Sequence, residues 1–440
     1  GVSYGTATAP YLPSESYTDS DGVEHTFWLR EHGMRGFVSY NLGEKLWEIE
    51  PFEKAYAGGV SAVLDVSDSD DASDVKFAVG FSSYKVTQAF DELINDDTGG
   101  CADPVIVPDK MTLEACIAQA QLQSNTDIYH NMAFKATLQS DGTQSDGVII
   151  KREPLGLLVT PHPDDERPYS SYALAVNSTG VAVGYADGFN NALQTNPSAE
   201  ERRTYHYAVV FKGNDAAGNK EVIDLSGEHT NYKGSSRAYD INDAGIAVGH
   251  ITKAIDGKPV NKFFYVDTNV SQENIEMINP NDFFSGSDST ARAINNDGLI
   301  VGEGEIETHN ESASSPRRTA AFVYNMENDT FTNLNKVISC GKRQTYDIIE
   351  ARGINDTGMI SATAIVKTDR LDAKGQVMLD DNGDPLREDV VRAISLNPIT
   401  DDGEICTAEE DGKVERQGGS VGFGSVWLLF IILGLRRKLL

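Results

Sequence analysis

Imidazole and carboxylate side chains crowd one short stretch of this 440-residue chain, where the apolar run Leu157-Leu158-Val159 leads into Thr160-Pro161-His162-Pro163-Asp164-Asp165-Glu166. Nitrogen and oxygen donors of this kind bind divalent metals. Carboxylates also gather in three loops, Asp19-Ser20-Asp21-Gly22, Asp68 to Asp74, and Asp380-Asp381-Asn382-Gly383-Asp384. Calcium takes about six to eight oxygens at flexible geometry, which close-set carboxylates around a Gly bend supply in part. None of the three completes a calcium loop with its distant Glu, so they read first as turns, and calcium is the one cofactor they suggest. Other catalytic signatures are missing: no G-x-S-x-G, G-x-x-x-x-G-K-[ST] or H-E-x-x-H occurs, and Gly302-Glu303-Gly304 follows a strand without leading into a helix.

The order Pro161-His162-Pro163-Asp164-Asp165-Glu166 after an apolar strand resembles the signature of zinc-dependent N-acetylglucosamine deacetylases. That resemblance implies His162 and Asp165 as zinc ligands and Asp164 as the base that activates a metal-bound water. The surroundings depart from the family. Those enzymes are α/β proteins in which the motif runs into a Gly-rich turn and a helix, whereas here Arg167-Pro168-Tyr169 follows and a strand hairpin begins. A third ligand would have to be His206, His229 or His250, and nothing around them marks one out. The segment is therefore expected to be a loop between strands in a chain that is not an enzyme, with the zinc hydrolase as the alternative.

What must position these residues is a repeated phrase. It occurs as Ala173 to Gly184 (ALAVNSTGVAVG), Ala238 to Gly249 (AYDINDAGIAVG), Ala291 to Gly302 (ARAINNDGLIVG) and Ala351 to Ala362 (ARGINDTGMISA). Each is an apolar strand, a turn, and a second apolar strand with period-two alternation. The turns pair Asn177 with Gly180, Asn242 with Gly245, Asn295 with Gly298 and Asn355 with Gly358, a spacing that suits a turn ending in a left-handed residue. Successive turn glycines lie 65, 53 and 60 residues apart, the period of one supersecondary unit. Two shorter apolar runs precede three of the hairpins, as at Tyr207–Phe211 with Val222–Leu225, Lys262–Val266 with Ile275–Ile278, and Ala320–Tyr324 with Phe331–Leu334. Two runs plus a hairpin make four strands.

Four antiparallel strands at this period form the blade of a β-propeller, in which blades bury their apolar faces against one another. Two worn units are expected upstream, one from Phe27 through Phe77-Ala78-Val79-Gly80 and one from Met132-Ala133-Phe134. Arg392–Leu396 is expected to close the ring with strands around Val2 to Thr8. The fold class is thus all-β, a propeller of about six four-stranded blades with five or seven as neighbouring counts, rather than a sandwich, which lacks a fixed turn phrase. Residues 1–400 make up this body, interrupted by insertions at about 95–128 and 369–390. The first carries the one convincing helix, Lys110–Gln123, rich in Ala, Leu and Gln.

Lys and Arg number 37 against 67 Asp and Glu, a formal charge of −30. A field of that sign repels phosphate backbones, so nucleic-acid partners are disfavoured. Of the four cysteines, Cys101 and Cys116 bracket part of the first insertion and Cys340 and Cys406 flank the last hairpin. Three pairings are formally open, and Cys101 with Cys116 and Cys340 with Cys406 are expected.

After a polar linker at 401–417, the segment 418–440 changes character: Gly418-Gly419-Ser420, then an uncharged apolar run containing Trp427, Leu428, Leu429, Phe430, Ile431 and Ile432, then Arg436-Arg437-Lys438. The apolar run suits a short C-terminal hydrophobic helix across a membrane, with the basic cluster left cytoplasmic. Glycines, short apolar helix and terminal basic cluster, in that order, resemble the GlyGly-CTERM sorting tail of Gram-negative bacteria. That resemblance implies export, processing near the glycines by a rhombosortase-type protease, secretion machinery as a partner, and an address that moves from the inner membrane to the cell surface, outer membrane or medium. The phrase A-x-x-I-N-x-x-G with its apolar end resembles HAF-type repeats of exported bacterial propellers, and tail and repeats together resemble an uncharacterised gammaproteobacterial family catalogued as a domain of unknown function. Departures are Val176 at the Ile position and Ser361-Ala362 at the end of the fourth copy. The function expected is a binding scaffold in the cell envelope, its ligand a surface polysaccharide, an envelope protein or a cation.

Overall fold

The structure is a computed structural model that describes residues 2–398 apart from 41–44, 57, 68–75, 124–126, 140–147, 163–164, 166, 190–197, 199–203, 213–219, 224–234, 272–273, 310–315, 339–341 and 343–344. It is all-β, built from small antiparallel sheets that follow one another along the chain. Sheet I joins Val2–Ala7, Arg35–Tyr40 and Lys45–Ile49. Sheet II joins Ser61–Val66, Lys76–Val86, Tyr129–Gln139 and Val148–Pro154, and sheet III joins Ser171–Val176, Ala182–Gly188, Tyr205–Phe211 and Lys220–Val222. Sheet IV contains Ser236–Ile241, Ile246–Ile255 and Lys258–Asp267, with Ile278 bridging Tyr265 at its edge. Sheet V holds Ser289–Ile294, Leu299–Glu305, Thr319–Asn325 and Thr330–Asn333, and sheet VI holds Tyr346–Ile354, Ile360–Asp369 and Arg387–Leu396.

The repeated hairpin opens sheets III to VI. In each turn the Gly takes φ between +75° and +80°, a region open to glycine without a Cβ clash. The Asn side chain completes the turn: Oδ1 of Asn177, Asn242, Asn295 and Asn355 accepts the backbone N–H four residues on, each at 2.9 Å. The second glycine has a different duty. A Cβ on Gly184, Gly249 or Gly302 would stand 1.9, 1.8 or 2.0 Å from the carbonyl oxygen of Tyr172, Arg237 or Thr290, so only glycine lets the two strands approach there. Ala362 occupies this place in sheet VI, where the hairpin has a second register shift, between Ile348 and Glu350.

Successive sheets are stitched by two sets of side chains. Asn177 Nδ2 donates to the Asn242 carbonyl at 3.2 Å, Asn242 to Asn295 at 3.1 Å, and Asn295 to Asn355 at 3.2 Å. A buried serine at the head of the first strand reaches the other way. Ser61, Ser171, Ser236 and Ser289 accept from the backbone N–H of Gly36, Ala133, Ala208 and Phe263 in the preceding sheet. Between these polar seams lie apolar layers, such as Ala175, Val183 and Val210 of sheet III against Ala238, Ala247 and Phe264 of sheet IV, and Phe263 of sheet IV against Ile300 and Phe322 of sheet V. Each fully buried Phe contributes about 1.5–3 kcal/mol through removal from water.

Three expectations need correction. The short runs expected to join the hairpin that follows them belong instead to the sheet opened by the hairpin before them, because Tyr205–Phe211 pairs with Ala182–Gly188 and Thr319–Asn325 with Leu299–Glu305. The worn units expected from Phe27 and from Met132 are not separate, since the strands containing Phe77–Gly80 and Met132–Phe134 are neighbours in sheet II. Arg392–Leu396 does not pair with the N-terminus. Its ten-residue strand, Arg387–Leu396, pairs along its whole length with Ile360–Asp369, while Val2–Ala7 pairs with Arg35–Tyr40. Among the described residues, packing runs from sheet I to sheet VI in chain order, and no contact of similar extent joins sheet VI to sheet I.

The first insertion holds two helices, α1 (Gln88–Asn95) and α2 (Leu113–Gln123), so the expected helix starts three residues late and α1 is additional. Thr87 caps α1, its hydroxyl accepting from Phe90 N. The expected Cys101–Cys116 disulfide is present. The second insertion is a hairpin arm that prolongs sheet VI, with Leu371 bridging Val377 and Leu379 bridging Pro385. Cys340, Cys406, the 401–417 linker and the 418–440 segment with Gly418, Gly419, Ser420, Trp427 to Ile432 and Arg436 to Lys438 lie outside the described residues. No helix among the described residues is long and apolar enough to cross a membrane.

Asn242 is buried and Asn355 is exposed at the end of the ladder. Asn242→Ala removes the side-chain partner of the Ile246 N–H and leaves the Asn295 carbonyl with only its bond from Gly298 N, and is expected to cost about 1–3 kcal/mol, whereas Asn355→Ala costs under about 1 kcal/mol. Urea unfolding midpoints of the two variants check this.

Candidate functional site

Each repeated hairpin carries a β-bulge one residue after its opening Ala, seen as register shifts between Ala173 and Ala175, Ala238 and Asp240, Ala291 and Ala293, and Ala351 and Gly353. A bulge turns its extra residue away from the normal alternation. Those extra residues are Leu174, Tyr239, Arg292 and Arg352. With the residues just before the opening Ala and just after the second strand's Gly, they form one continuous row across sheets II to VI.

The row begins where Phe81 meets Tyr172 edge-on at 5.0 Å, and Tyr172 stacks on Tyr185 at 4.8 Å. The Arg237 guanidinium lies 4.4 Å from the centre of Tyr185, and Arg292 lies 4.7 Å from that of Tyr239. Such cation–π contacts contribute roughly 0.5–2 kcal/mol and hold a guanidinium plane in a fixed attitude. Arg237 Nη2 also donates to His206 Nδ1 at 3.1 Å, which leaves the ring proton on Nε2, facing Asp187 Oδ1 at 3.3 Å. Arg292 grips Glu303 Oε1 through Nε at 2.8 Å and Nη2 at 2.6 Å. In sheet VI Arg352 donates to Glu350, whose other oxygen accepts from Thr363. Most of these side chains are half-buried, and exposure grows toward Arg352.

Two atoms in the row are buried without a hydrogen-bond partner among the described residues, Nδ1 of His250 and Oε2 of Glu303. His250 packs against Tyr239, and burial with the nearby Arg237 and Arg292 charges pushes its pKa down to about 4. Burial pushes Asp187 up and His206 down. Behind the row sits Asp240. Its carboxylate accepts Ile294 N at 2.9 Å, and burial, with Asp65 of sheet II repelling it, raises its pKa to about 7. Asp65 makes the matching bond to Val176 N at 2.9 Å. The Asp65 carboxylate of sheet II thus acts on Asp240 of sheet IV.

The zinc motif is placed differently. His162 and Asp165 lie in the connection between sheets II and III, with Pro163, Asp164 and Glu166 outside the described residues. Both Asp165 oxygens are engaged, Oδ1 by Arg167 Nε at 2.8 Å and Oδ2 by Arg167 Nη2 at 2.6 Å and the Tyr169 hydroxyl at 2.5 Å. The guanidinium holds this carboxyl far below the usual carboxylate range, so a cation there would have to displace Arg167. His206 and His250 belong to the row, and His229 lies outside the described residues. Among the described residues no group of three His, Cys, Asp or Glu is placed to hold a metal. Of the acidic loops, Asp19 and Asp380 cap their own turns through backbone N–H groups, and 68–74 is outside the described residues.

Neither the row nor the serine seam figures among the residues that motif reasoning singles out. The signal was present: the site occupies the phrase's second letter and the residues that flank the phrase on either side, and the serine stands two places before its Ala in Ser171-Tyr172-Ala173, Ser236-Arg237-Ala238 and Ser289-Thr290-Ala291.

Folding must keep His250 neutral, so its depressed pKa makes stability fall as pH drops from 6.5 toward 4, by about 1.4 kcal/mol per unit. Asp240 acts with the opposite sign, stability being lost as pH rises from 3.8 to about 7. His250→Gln is expected to remove the first slope and leave the second, as read from unfolding free energies between pH 4 and pH 7.

A family model described as "Protein of unknown function (DUF3466)" matches residues 1–438. Among curated proteins none matches the chain. With nearly its full length covered by that family model, this repeat-built, all-β chain belongs to the DUF3466 family.

Proposed function

We propose that the chain is a six-bladed, propeller-like binding scaffold whose ligand is a polysaccharide of the cell envelope, held on the row from Tyr172 to Arg352. Six successive antiparallel sheets, each packed on the next in chain order among the described residues, support the blade count. The observation that carries the ligand class is the alternation of Tyr172, Tyr185 and Tyr239 with Arg237, Arg292, Glu303 and His250. Aromatic faces pack against the C–H faces of sugar rings, and forked guanidinium and carboxylate groups suit neighbouring hydroxyls. Strands locked by the Asn and Ser seams keep these groups pre-organised, as recognition by few polar contacts demands. The scaffold acts by binding, without a bond-making step.

Export and attachment complete the proposal. The Gly418-Gly419-Ser420 tail with its apolar run and Arg436-Arg437-Lys438 would be recognised by a rhombosortase-type protease, which delivers the body to the cell surface or medium. Surface delivery brings the row to envelope glycans.

Affinity electrophoresis of the full chain through gels containing neutral or acidic bacterial polysaccharides tests the reading. Retardation is expected, and Tyr185→Ala and Tyr239→Ala should each weaken it by roughly tenfold, the scale of one lost aromatic contact of about 1.4 kcal/mol. Equal retardation of the variants, or none of the parent, would sink it. Protein recovered from a Gram-negative host carrying the protease should have an intact mass ending near Gly419, and a full-length mass would instead indicate a plain anchor.

A further inference from the structure

The insertion between strands Lys76–Val86 and Tyr129–Gln139 has a small core of its own, in which Phe90, Ile94, Cys101 and Cys116 are buried. Above it opens a cavity of about 520 Å³, within the range of roughly 300–1,000 Å³ of small-molecule sites. Leu93 of α1, Ala120 of α2, and Ile106 and Met111 of the intervening loop line it, with the Cys101–Cys116 disulfide in its wall. The polar lining consists of Lys110, Gln119 and Gln123. No carboxylate lines the cavity, although the chain carries 67 Asp and Glu against 37 Lys and Arg. Lys110 makes no ion pair among the described residues.

We propose that this cavity binds a small amphipathic anion, an alkyl carboxylate. The alkyl chain lies against Leu93, Ile106, Met111, Ala120 and the disulfide, where apolar surface leaves water on both sides of the contact. The carboxylate pairs with the Lys110 ammonium and accepts from the Gln119 and Gln123 amides. The strongly negative surface of the rest of the molecule repels such a ligand, so the cavity, with one cation and no acid, is the place where an anion with an apolar tail is tolerated. The disulfide ties the loop to α2 and keeps the walls apart from collapse when the cavity is empty. This site is independent of the row on sheets II to VI, so either can fail without the other.

Isothermal titration of the full chain with decanoate, and with decanol as the neutral comparison, tests the proposal. One decanoate per chain is expected to bind, with decanol weaker. Lys110→Gln should lower decanoate affinity by roughly tenfold and leave decanol unchanged. Ala120→Trp should fill the cavity and abolish both. Should that variant fail to fold, Leu93→Glu on the exposed side of α1 places a carboxylate in the lining and should abolish decanoate binding alone. Absence of decanoate binding to the parent would overturn the proposal, as would binding that survives in a folded Ala120→Trp or Leu93→Glu chain.

Discussion

One asparagine in each of sheets III, IV and V, using both ends of its amide, holds the repeated part of this architecture in register. Oδ1 satisfies an N–H inside its own turn, and Nδ2 reaches the carbonyl of the equivalent Asn in the following sheet. A shorter side chain could not do both. An Asp could close the turn but has no donor to pass on, and a Gln would place its amide a methylene too far. Because the bonded groups are buried in Asn177, Asn242 and Asn295, losing one leaves polar atoms without water. The ladder therefore dictates the spacing of neighbouring sheets, and the apolar layers and the serine seam settle around that spacing. It ends at Asn355, which is exposed and followed by no further copy of the repeated phrase, and sheet VI presents Ser361 and Ser395 to solvent, beside the exposed Met359 and Val391.

The same constraint explains where the candidate site falls. The close strand approach at Gly184, Gly249 and Gly302 is a geometric requirement of those hairpins that leaves no room for a side chain. The bulge residue and its cross-strand neighbours are free of that duty. They are Tyr, Arg, His and Glu here, and they line up because the ladder lines up the hairpins that carry them. A charge-rich row on rigid strands coexists with a very acidic exterior because Arg237, Arg292 and Arg352 are each engaged by a ring, a carboxylate or both.

Much of the fold was legible in the sequence for a physical reason. A turn that needs an Asn amide and a left-handed Gly can be written in few ways, so the four hairpins stand out, and two cysteines closing a short loop announced their bond. Phase was not legible: an apolar run has two edges, and nothing in Tyr207–Phe211 says whether it pairs with the hairpin before or after it. Ring closure failed for a related reason, since Arg392–Leu396 looked like an orphan first strand only while its partner Ile360–Asp369 was read as ending early. The candidate site was hidden because it lives at positions where the repeats differ, and the eye for a repeat discards those. At the metal motif the guanidinium of Arg167, two residues on, occupies the Asp165 carboxylate, a local pairing that the motif's letters do not announce.

Exchange of the asparagine side-chain amide protons, followed by NMR on selectively labelled protein, tests the ladder most directly. The account predicts slow exchange at Asn177, Asn242 and Asn295, each bonded to the next sheet, and fast exchange at Asn355. Equally fast exchange at all four would contradict it.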